Sequence, residues 1–302
     1  MRLPTTTKRL IYRLIALTVL ALLLPVACQK QAPPAAKAPV QRIVSMAPNF
    51  TAMVVALGMG DRLVGCTSYC DRTGVAPDAA SIGSAMDANF EKLLSLQPDL
   101  VIVQRTLGEH MRRLRALGLN LLPLGTDNIA DADEALRAIG AALGQPEQGE
   151  AAAKKLAHDL ATVKEAYAGK DQVDAMLVIG HAPGELRDVR VASRGTFLDE
   201  ILTVAGGVNA FADAPTQYPQ ISKEQLLARD PSVIFVFQPQ REYSAQATAE
   251  ELAVWRALPM LRAVREQRLY VLTDWLVLSP GPNLSLTAGA LASALHAKSG
   301  QP

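Results

Sequence analysis

Short apolar runs alternate with amphipathic stretches from residue 42 to near the end of the chain. Runs such as 100–103 and 233–237 are continuously apolar, which is typical of parallel strands that are covered on both faces. Glycines such as Gly58 and Gly206 follow the helical patterns and mark their ends. The alternation predicts an α/β fold with parallel sheets. The predicted strands are 42–46, 63–65, 100–103, 120–124, 175–179, 233–237 and 269–272, and the predicted helices are 52–57, 110–117, 132–143, 197–205 and 284–296.

One sequence pattern occurs in both halves of the chain. Segments 89–94 and 222–227 each begin with a residue suited to capping a helix, carry a glutamate two positions later, and lead through a proline to an apolar strand. The glutamates are Glu91 and Glu224. A repeat of this kind predicts two similar α/β lobes.

A single long amphipathic helix is predicted between the lobes, over residues 146–170. Its apolar residues recur at spacings of four, three and four, which places them on one helical stripe: Leu156, Leu160, Val163 and Tyr167. A helix of about 20 residues spans about 30 Å, long enough to act as a stiff strut. We therefore expect an N-terminal lobe at 42–144, a linking helix at 145–170 and a C-terminal lobe at 171–302.

The N-terminus has the pattern of a secretion signal. Four basic residues precede an apolar run that is too short and wrongly flanked for a good membrane span, and Ala27-Cys28 follows it. The small residue before the cysteine resembles a bacterial lipobox, which implies cleavage after residue 27 and lipidation of Cys28. An ordinary secreted protein and an uncleaved anchor are the alternatives. Residues 28–41 are rich in Pro and Ala, which predicts a flexible tether.

Composition narrows the function. The 302 residues are 49% hydrophobic and 20% charged, which is typical of a globular protein, and 30 basic residues balance 29 acidic ones. Loss of the four N-terminal basic residues would leave a net charge of −3, so a nucleic-acid partner is not expected. The four histidines lack metal-ligand spacing, so no metal site is expected. Phosphate-loop, zinc-protease and nucleophile-elbow motifs are missing, which argues against an enzyme, and an extracytoplasmic enzyme that modifies a metal chelate is the alternative. Cys66 and Cys70 could form a disulfide or remain two buried thiols.

Five segments carry a family resemblance. They are RIVSMAPNFT at 42–51, ALGMGDRLVG at 56–65, TSYCD at 67–71, LQPDLVI at 96–102 and AGGVN at 205–209. Together they resemble the substrate-binding proteins of ABC importers for cobalamin, iron-siderophores and haem. The resemblance spans residues 42–296 and implies two lobes with the ligand in the cleft between them. It also implies a monomer without resident cofactor that delivers a metal chelate to a permease dimer with its ATPase, held at the membrane by its lipid anchor.

Within this family, four segments look most like cobalamin binders: 67–71, 195–199, 218–222 and 274–275. Haem binders usually carry an iron-ligating tyrosine near Gly83-Ser84, and none is there. Tryptophans that are frequent in cobalamin clefts are replaced near Ala85, at Gln104 and at Tyr218. Fewer aromatic rings mean less stacking area, so a siderophore or a truncated corrinoid stays open.

The resemblance and the strand ends select the candidate binding residues. Ligands of open α/β sheets bind where the strands end, which is where Pro48 and Asn49 lie, and His181 also follows a strand. A solvated loop is the alternative place for His181. The full set of predicted ligand contacts is Pro48, Asn49, Tyr69, Gln104, His181, Tyr218 and Trp275. For Glu91 and Glu224 the resemblance implies docking to permease arginines, with simple helix-dipole placement as the alternative.

Overall fold

The computed structural model describes residues 39–70, 78–238, 244–273 and 279–297. Apolar runs form buried strands and amphipathic runs form helices around them, as the sequence pattern predicts. The strands are β1 (Ile43–Ser45), β2 (Leu63–Cys66), β3 (Ala80–Ser81), β4 (Leu100–Gln104), β5 (Leu121–Leu124), β6 (Val173–Gly180), β7 (Val189–Val191), β8 (Gly207–Asn209), β9 (Gln220–Ile221), β10 (Val233–Phe237) and β11 (Leu269–Leu272). The helices are α1 (Pro48–Ala56), α2 (Phe90–Ser95), α3 (Gly108–Ala116), α4 (Ile129–Ala142), α5 (Pro146–Ala166), α6 (Phe197–Val204), α7 (Lys223–Arg229), α8 (Ala245–Arg256), α9 (Arg262–Arg265) and α10 (Leu284–Leu295).

The first sheet is parallel throughout. Its strand order is β3-β2-β1-β4-β5, and each neighbouring pair runs in the same direction. The central strands β1 and β4 are almost entirely buried, because helices cover both faces. All five strands therefore end at one edge, which we call the carboxyl edge of the N-terminal lobe.

The second sheet confirms the second lobe and adds strands that the sequence pattern did not predict. Its order is β11-β10-β6-β7-β9, with β8 paired to β6. β6, β8, β10 and β11 are parallel, whereas β7 and β9 pair antiparallel. The unpredicted strands β7, β8 and β9 contain only two or three residues, too few to show a period of two.

The internal repeat extends to the backbone. Asn89 caps α2 by accepting the N–H of Lys92, and Ser222 caps α7 in the same way. Both copies then place a residue in the left-handed region directly before the proline: Gln97 has φ 45° and Asp230 has φ 40°. The two lobes therefore share a cap, a helix and an unusual turn leading into a buried strand.

The linking helix is embedded rather than free-standing. α5 packs against α4, α6 and α10, and its buried face includes Leu156 and Leu160 of the predicted stripe. Gly140 of α4 and Gly149 of α5 bring the two helix backbones together: a Cβ on Gly149 would lie 2.8 Å from a backbone oxygen of α4. One continuous core joins residues of both sheets through these helices.

The predicted signal, the lipidation site Cys28 and most of the tether lie outside the described residues. Among the residues that the structure does describe, no helix is both long enough and apolar enough to cross a membrane.

Candidate ligand-binding site

The start of α1 lies at the carboxyl edge of the N-terminal lobe. Pro48 occupies the first helical turn, where its missing N–H has no cost, so α1 begins four residues earlier than predicted. The Asn49 side chain is 3% exposed, and its Nδ2 has no hydrogen-bond partner among the described residues. A buried donor of this kind is costly, about 1–3 kcal/mol, unless another molecule supplies an acceptor.

A tight turn after β2 presents Tyr69 at the same edge. The N–H of Cys70 donates to the carbonyl of Thr67 at 3.1 Å, and the N–H of Ser68 donates to the carbonyl of Gly83 at 2.8 Å. Thr51 Oγ1 lies 3.1 Å from Cys70 Sγ, which ties the turn to α1. Tyr69 itself is 68% exposed, so a well-held turn presents a free aromatic ring at the edge where α1 begins.

Gln104 is the last residue of β4 and is half-buried at this edge. The next residue, Arg105, forms an ion pair with Asp131 of α4 at 3.0 Å and is half exposed. The structure therefore gathers Pro48, Asn49, Tyr69 and Gln104 at one edge of the first sheet.

Tyr218 lies on a loop of the C-terminal lobe. Its loop is held by Gln217, whose Nε2 donates to the carbonyl of Gly195 at 2.7 Å and whose carbonyl accepts the N–H of Ser193 at 2.8 Å. Burial, together with the negative charge of Asp127, raises the pKa of Tyr218 above its ordinary value. Gly195 lies two residues before Phe197, whose N–H donates to the carbonyl of Asp127 in the N-terminal lobe, so the loop of Tyr218 lies beside the seam where the two lobes touch.

Two hydrogen bonds cross that seam, and sequence reasoning missed both. The N–H of Phe197 donates to the carbonyl of Asp127 at 2.7 Å. The N–H of Ile129 donates to Glu200 Oε2, also at 2.7 Å. The only sequence signals are an Asp-Asn pair before α4 and a glutamate early in α6, and neither reveals a partner some 70 residues away.

The C-terminal lobe also approaches the site near Asn49. A Cβ on Gly281 would lie 3.6 Å from the Asn49 carbonyl oxygen, so the segment before α10 lies against the start of α1. This contact places Asn49 between the two lobes.

The structure contradicts the predicted ligand contact of His181. Its side chain is 3% exposed, Nδ1 donates to the carbonyl of Ala182 at 2.8 Å, and Nε2 lies 2.6 Å from Glu251 Oε1. Trp255, which is fully buried, donates its indole N–H to the same carboxylate oxygen at 2.7 Å. Gln238 donates to the other oxygen. Both nitrogens of His181 are therefore used internally, and none points to a ligand.

The charges of this buried cluster are mutually stabilised. The hydrogen bond to Glu251 raises the pKa of His181 despite burial. Burial opposes ionisation of Glu251, but the bonds from His181, Trp255 and Gln238 outweigh it and lower the pKa of Glu251. Both shifts favour an ion pair of imidazolium and carboxylate over the neutral groups in the core of the C-terminal lobe.

The remaining predicted residues divide into two groups. Glu91 and Glu224 are exposed on the first turns of α2 and α7. Trp275 lies outside the described residues. Within the described segments, no group of three or more His, Cys, Asp or Glu is arranged to hold a metal ion.

Comparison with known proteins gives a consistent picture. The sequence profile of the periplasmic binding protein family matches residues 43–275. The vitamin B12-binding protein of Vibrio cholerae is 32% identical over 244 residues, covering 79% of this chain and 83% of the relative.

Two crystal structures extend the likeness to the fold. The periplasmic vitamin B12-binding protein of Vibrio cholerae superimposes with a TM-score of 0.71 at 27% identity, over 85% of this chain and 97% of the other. A periplasmic haem-binding protein from Pseudomonas aeruginosa gives 0.73 at 28% identity, over 85% and 93%.

Proposed function

Because the chain belongs to the periplasmic binding protein family, we propose that it captures cobalamin or a related corrinoid and delivers it to an ABC permease with its ATPase. The relative at 32% identity is a vitamin B12-binding protein, which supports a corrinoid as the ligand. The role is binding and delivery, without chemical change of the ligand.

One observation carries the proposal: at the carboxyl edge of the N-terminal lobe, an exposed aromatic ring and a buried amide without a hydrogen-bond partner among the described residues follow two neighbouring strands. Tyr69 offers a flat apolar face, and Asn49 Nδ2 offers a hydrogen-bond donor. A corrinoid is a large, flat ring system with amide side chains, so it matches both groups. Tyr218 would contact it from the other lobe, and Gln104 and Pro48 would line the floor.

A ferric chelate is the second candidate. The haem-binding neighbour from Pseudomonas aeruginosa is as similar in fold as the corrinoid binder. The exposed phenol oxygen of Tyr69 is also a hard donor of the kind that suits Fe³⁺.

For delivery, we infer that Glu91 and Glu224 dock the protein on a two-fold permease. They occupy equivalent positions in the repeat, each exposed on the first turn of a short helix. Two equivalent charges, one on each lobe, suit a partner with two equivalent arginine clusters.

For localisation, we propose export of the chain, lipidation of Cys28 and a monomeric domain tethered outside the cytoplasm by residues 28–41. Metabolic labelling with a fatty-acid analogue tests the anchor. Label should enter the parent chain and be lost in Cys28→Ser, whereas equal labelling of both would overturn the anchor.

The ligand is tested by calorimetric titration of the purified protein with cyanocobalamin, and in parallel with dicyanocobinamide, haemin and a ferric hydroxamate. A corrinoid should bind one-to-one with a sub-micromolar Kd, which corresponds to a binding free energy below about −8 kcal/mol. If only haemin or only the hydroxamate binds, the ligand is a ferric chelate and not a corrinoid. Binding of none would overturn the capture role.

A further inference from the structure

Two cysteines flank the turn that carries Tyr69. Cys66 is the last residue of β2, and Cys70 follows the turn. The hydrogen bond from the Cys70 N–H to the Thr67 carbonyl at 3.1 Å closes the turn and brings Cys70 back towards Cys66. Both side chains are buried, 0% and 1% exposed. Both are thiols in the structure, and the Cys66 thiol donates a hydrogen bond to the Cys70 sulfur.

The surroundings of Cys70 favour its thiolate. Thr51 Oγ1 and Thr67 Oγ1 each lie 3.1 Å from Cys70 Sγ, so two hydroxyls can donate to it in addition to Cys66. The single hydroxyl proton of Thr51 is also within reach of Ser45 Oγ at 2.9 Å, and a negative sulfur would draw it away. Led by the Cys66 hydrogen bond, these contacts outweigh burial and lower the pKa of Cys70 to about 6.

We propose that Cys66 and Cys70 are a reversible dithiol–disulfide site, in which Cys70 is the attacking thiolate and a small-molecule disulfide is the oxidant. The thiolate of Cys70 attacks one sulfur of the oxidant, forms a mixed disulfide and releases one thiolate. Cys66 gives up its proton to water, attacks the Cys70 sulfur and releases the second thiolate. Two electrons pass from the cysteines to the oxidant, which leaves as two thiols.

Access to the sulfurs is governed by the turn. Thr67, Ser68 and Tyr69 lie between the cysteines, and Tyr69 is 68% exposed, so local opening of these three residues would bring the sulfurs to solvent. The disulfide would then close a five-residue ring around Tyr69. The disulfide would also remove the Cys70 thiolate that accepts hydrogen bonds from Thr51 and Thr67. Because Thr51 belongs to the first turns of α1, the oxidation state would be coupled to the start of that helix.

The test uses the full chain with Cys28→Ser, so that only these two thiols remain. The protein is equilibrated in buffers of graded reduced and oxidised glutathione, quenched with acid, labelled with a maleimide in urea near neutral pH so that buried thiols also react, and analysed by mass spectrometry. We expect the oxidised form to lose two hydrogens and both maleimide labels, and to recover both labels when reduced glutathione is added. Thiols that oxidised glutathione leaves reduced in the folded protein, and oxidises only after urea has unfolded the chain, would overturn the proposal.

Two further variants identify the attacking sulfur. With Cys66→Ser, which keeps a hydroxyl donor beside Cys70, a mixed disulfide with glutathione should accumulate on Cys70. With Cys70→Ser, Cys66 should react about threefold more slowly near neutral pH, because the larger thiolate fraction of Cys70 outweighs its lower intrinsic nucleophilicity. Faster reaction of Cys66 would overturn the assignment of Cys70. Circular dichroism of both variants checks that the comparison is made on folded protein.

Discussion

Glu200 accepts a hydrogen bond from the backbone N–H of Ile129 at 2.7 Å and thereby joins the first turn of α6 to the first turn of α4. A second bond runs beside it in the opposite direction, from the N–H of Phe197 to the carbonyl of Asp127. Each lobe therefore supplies a hydrogen-bond acceptor for a backbone N–H at the start of a helix in the other lobe. The carboxylate is also well placed for the positive end of the α4 dipole.

Replacing Glu200 should weaken this junction. Glu200→Ala leaves the Ile129 N–H without its charged acceptor and should lower the free energy of unfolding by about 1–3 kcal/mol. Glu200→Gln keeps an acceptor oxygen and should lose less. Urea titration followed by circular dichroism measures both, with Glu134→Ala on the exposed face of α4 as the control. Equal stability of Glu200→Ala and the control would show that the bond contributes nothing.

The close approach of α4 and α5 should not tolerate a methyl group. In Gly149→Ala the new Cβ would meet the Leu136 carbonyl oxygen at 2.8 Å and the Gly140 Cα at 3.1 Å, so the helices must move apart. We expect a loss of about 1–3 kcal/mol in unfolding free energy. Gly108→Ala is the matched control, because it also lies in a helix and has open space around its Cβ. The denaturant midpoint of Gly149→Ala should be lower than that of Gly108→Ala, and equal midpoints would contradict the close approach.

The buried pair of His181 and Glu251 should make stability depend on pH. The folded-state pKa of His181 is raised, so its contribution is complete below the unfolded value of about 6.5 and is lost as pH rises through the folded value. The folded-state pKa of Glu251 is lowered, so its contribution is complete above about 4.5 and is lost as pH falls through the folded value. The pair therefore stabilises most between these two values.

His181→Gln tests this window. As pH rises above 6.5, the melting temperature of the parent protein should fall more than that of the variant. The difference between the two melting temperatures should therefore narrow with rising pH. His158→Gln is the control, since His158 lies on the exposed side of α5. A gap that stays constant from pH 5 to 9 would mean that His181 is neutral in the folded protein.

Removal of either candidate aromatic ring should weaken corrinoid binding. Tyr69→Ala and Tyr218→Ala should each raise the Kd for cyanocobalamin by about tenfold, corresponding to about 1.4 kcal/mol of lost contact. Met260→Ala is the control, because Met260 is an exposed apolar side chain in the connection between α8 and α9. An unchanged Kd in both tyrosine variants would remove these residues from the site.

Charge reversal at the two lobes should separate delivery from capture. Glu91→Lys together with Glu224→Lys should abolish uptake of labelled cobalamin by cells while leaving the Kd of the purified protein unchanged. Glu147→Lys, on an exposed position of α5, keeps the same type of change away from the proposed docking helices. Normal uptake by the double variant would contradict docking through these residues.

Much of the fold followed from local pattern, whereas much of the site depends on distant contacts. Strand β10 begins and ends where its apolar run does, because burial on both faces requires an uninterrupted run. Strand β7 has three residues and pairs with β6 only after the chain turns back, so no local pattern marks it. His181 follows a strand as a ligand contact would, but Glu251, 70 positions later, engages it.

The embedding of α5 limits how the chain can change. Core residues from both sheets, among them Ile102 and Leu177, belong to one interior that α5 and its neighbours complete. A destabilising substitution in either lobe therefore reduces a single, shared stability reserve. Binding residues can diversify only as far as that reserve allows. Buried residues of the linking helix, such as Leu156, thus help to set how far the surfaces of both lobes can vary during evolution.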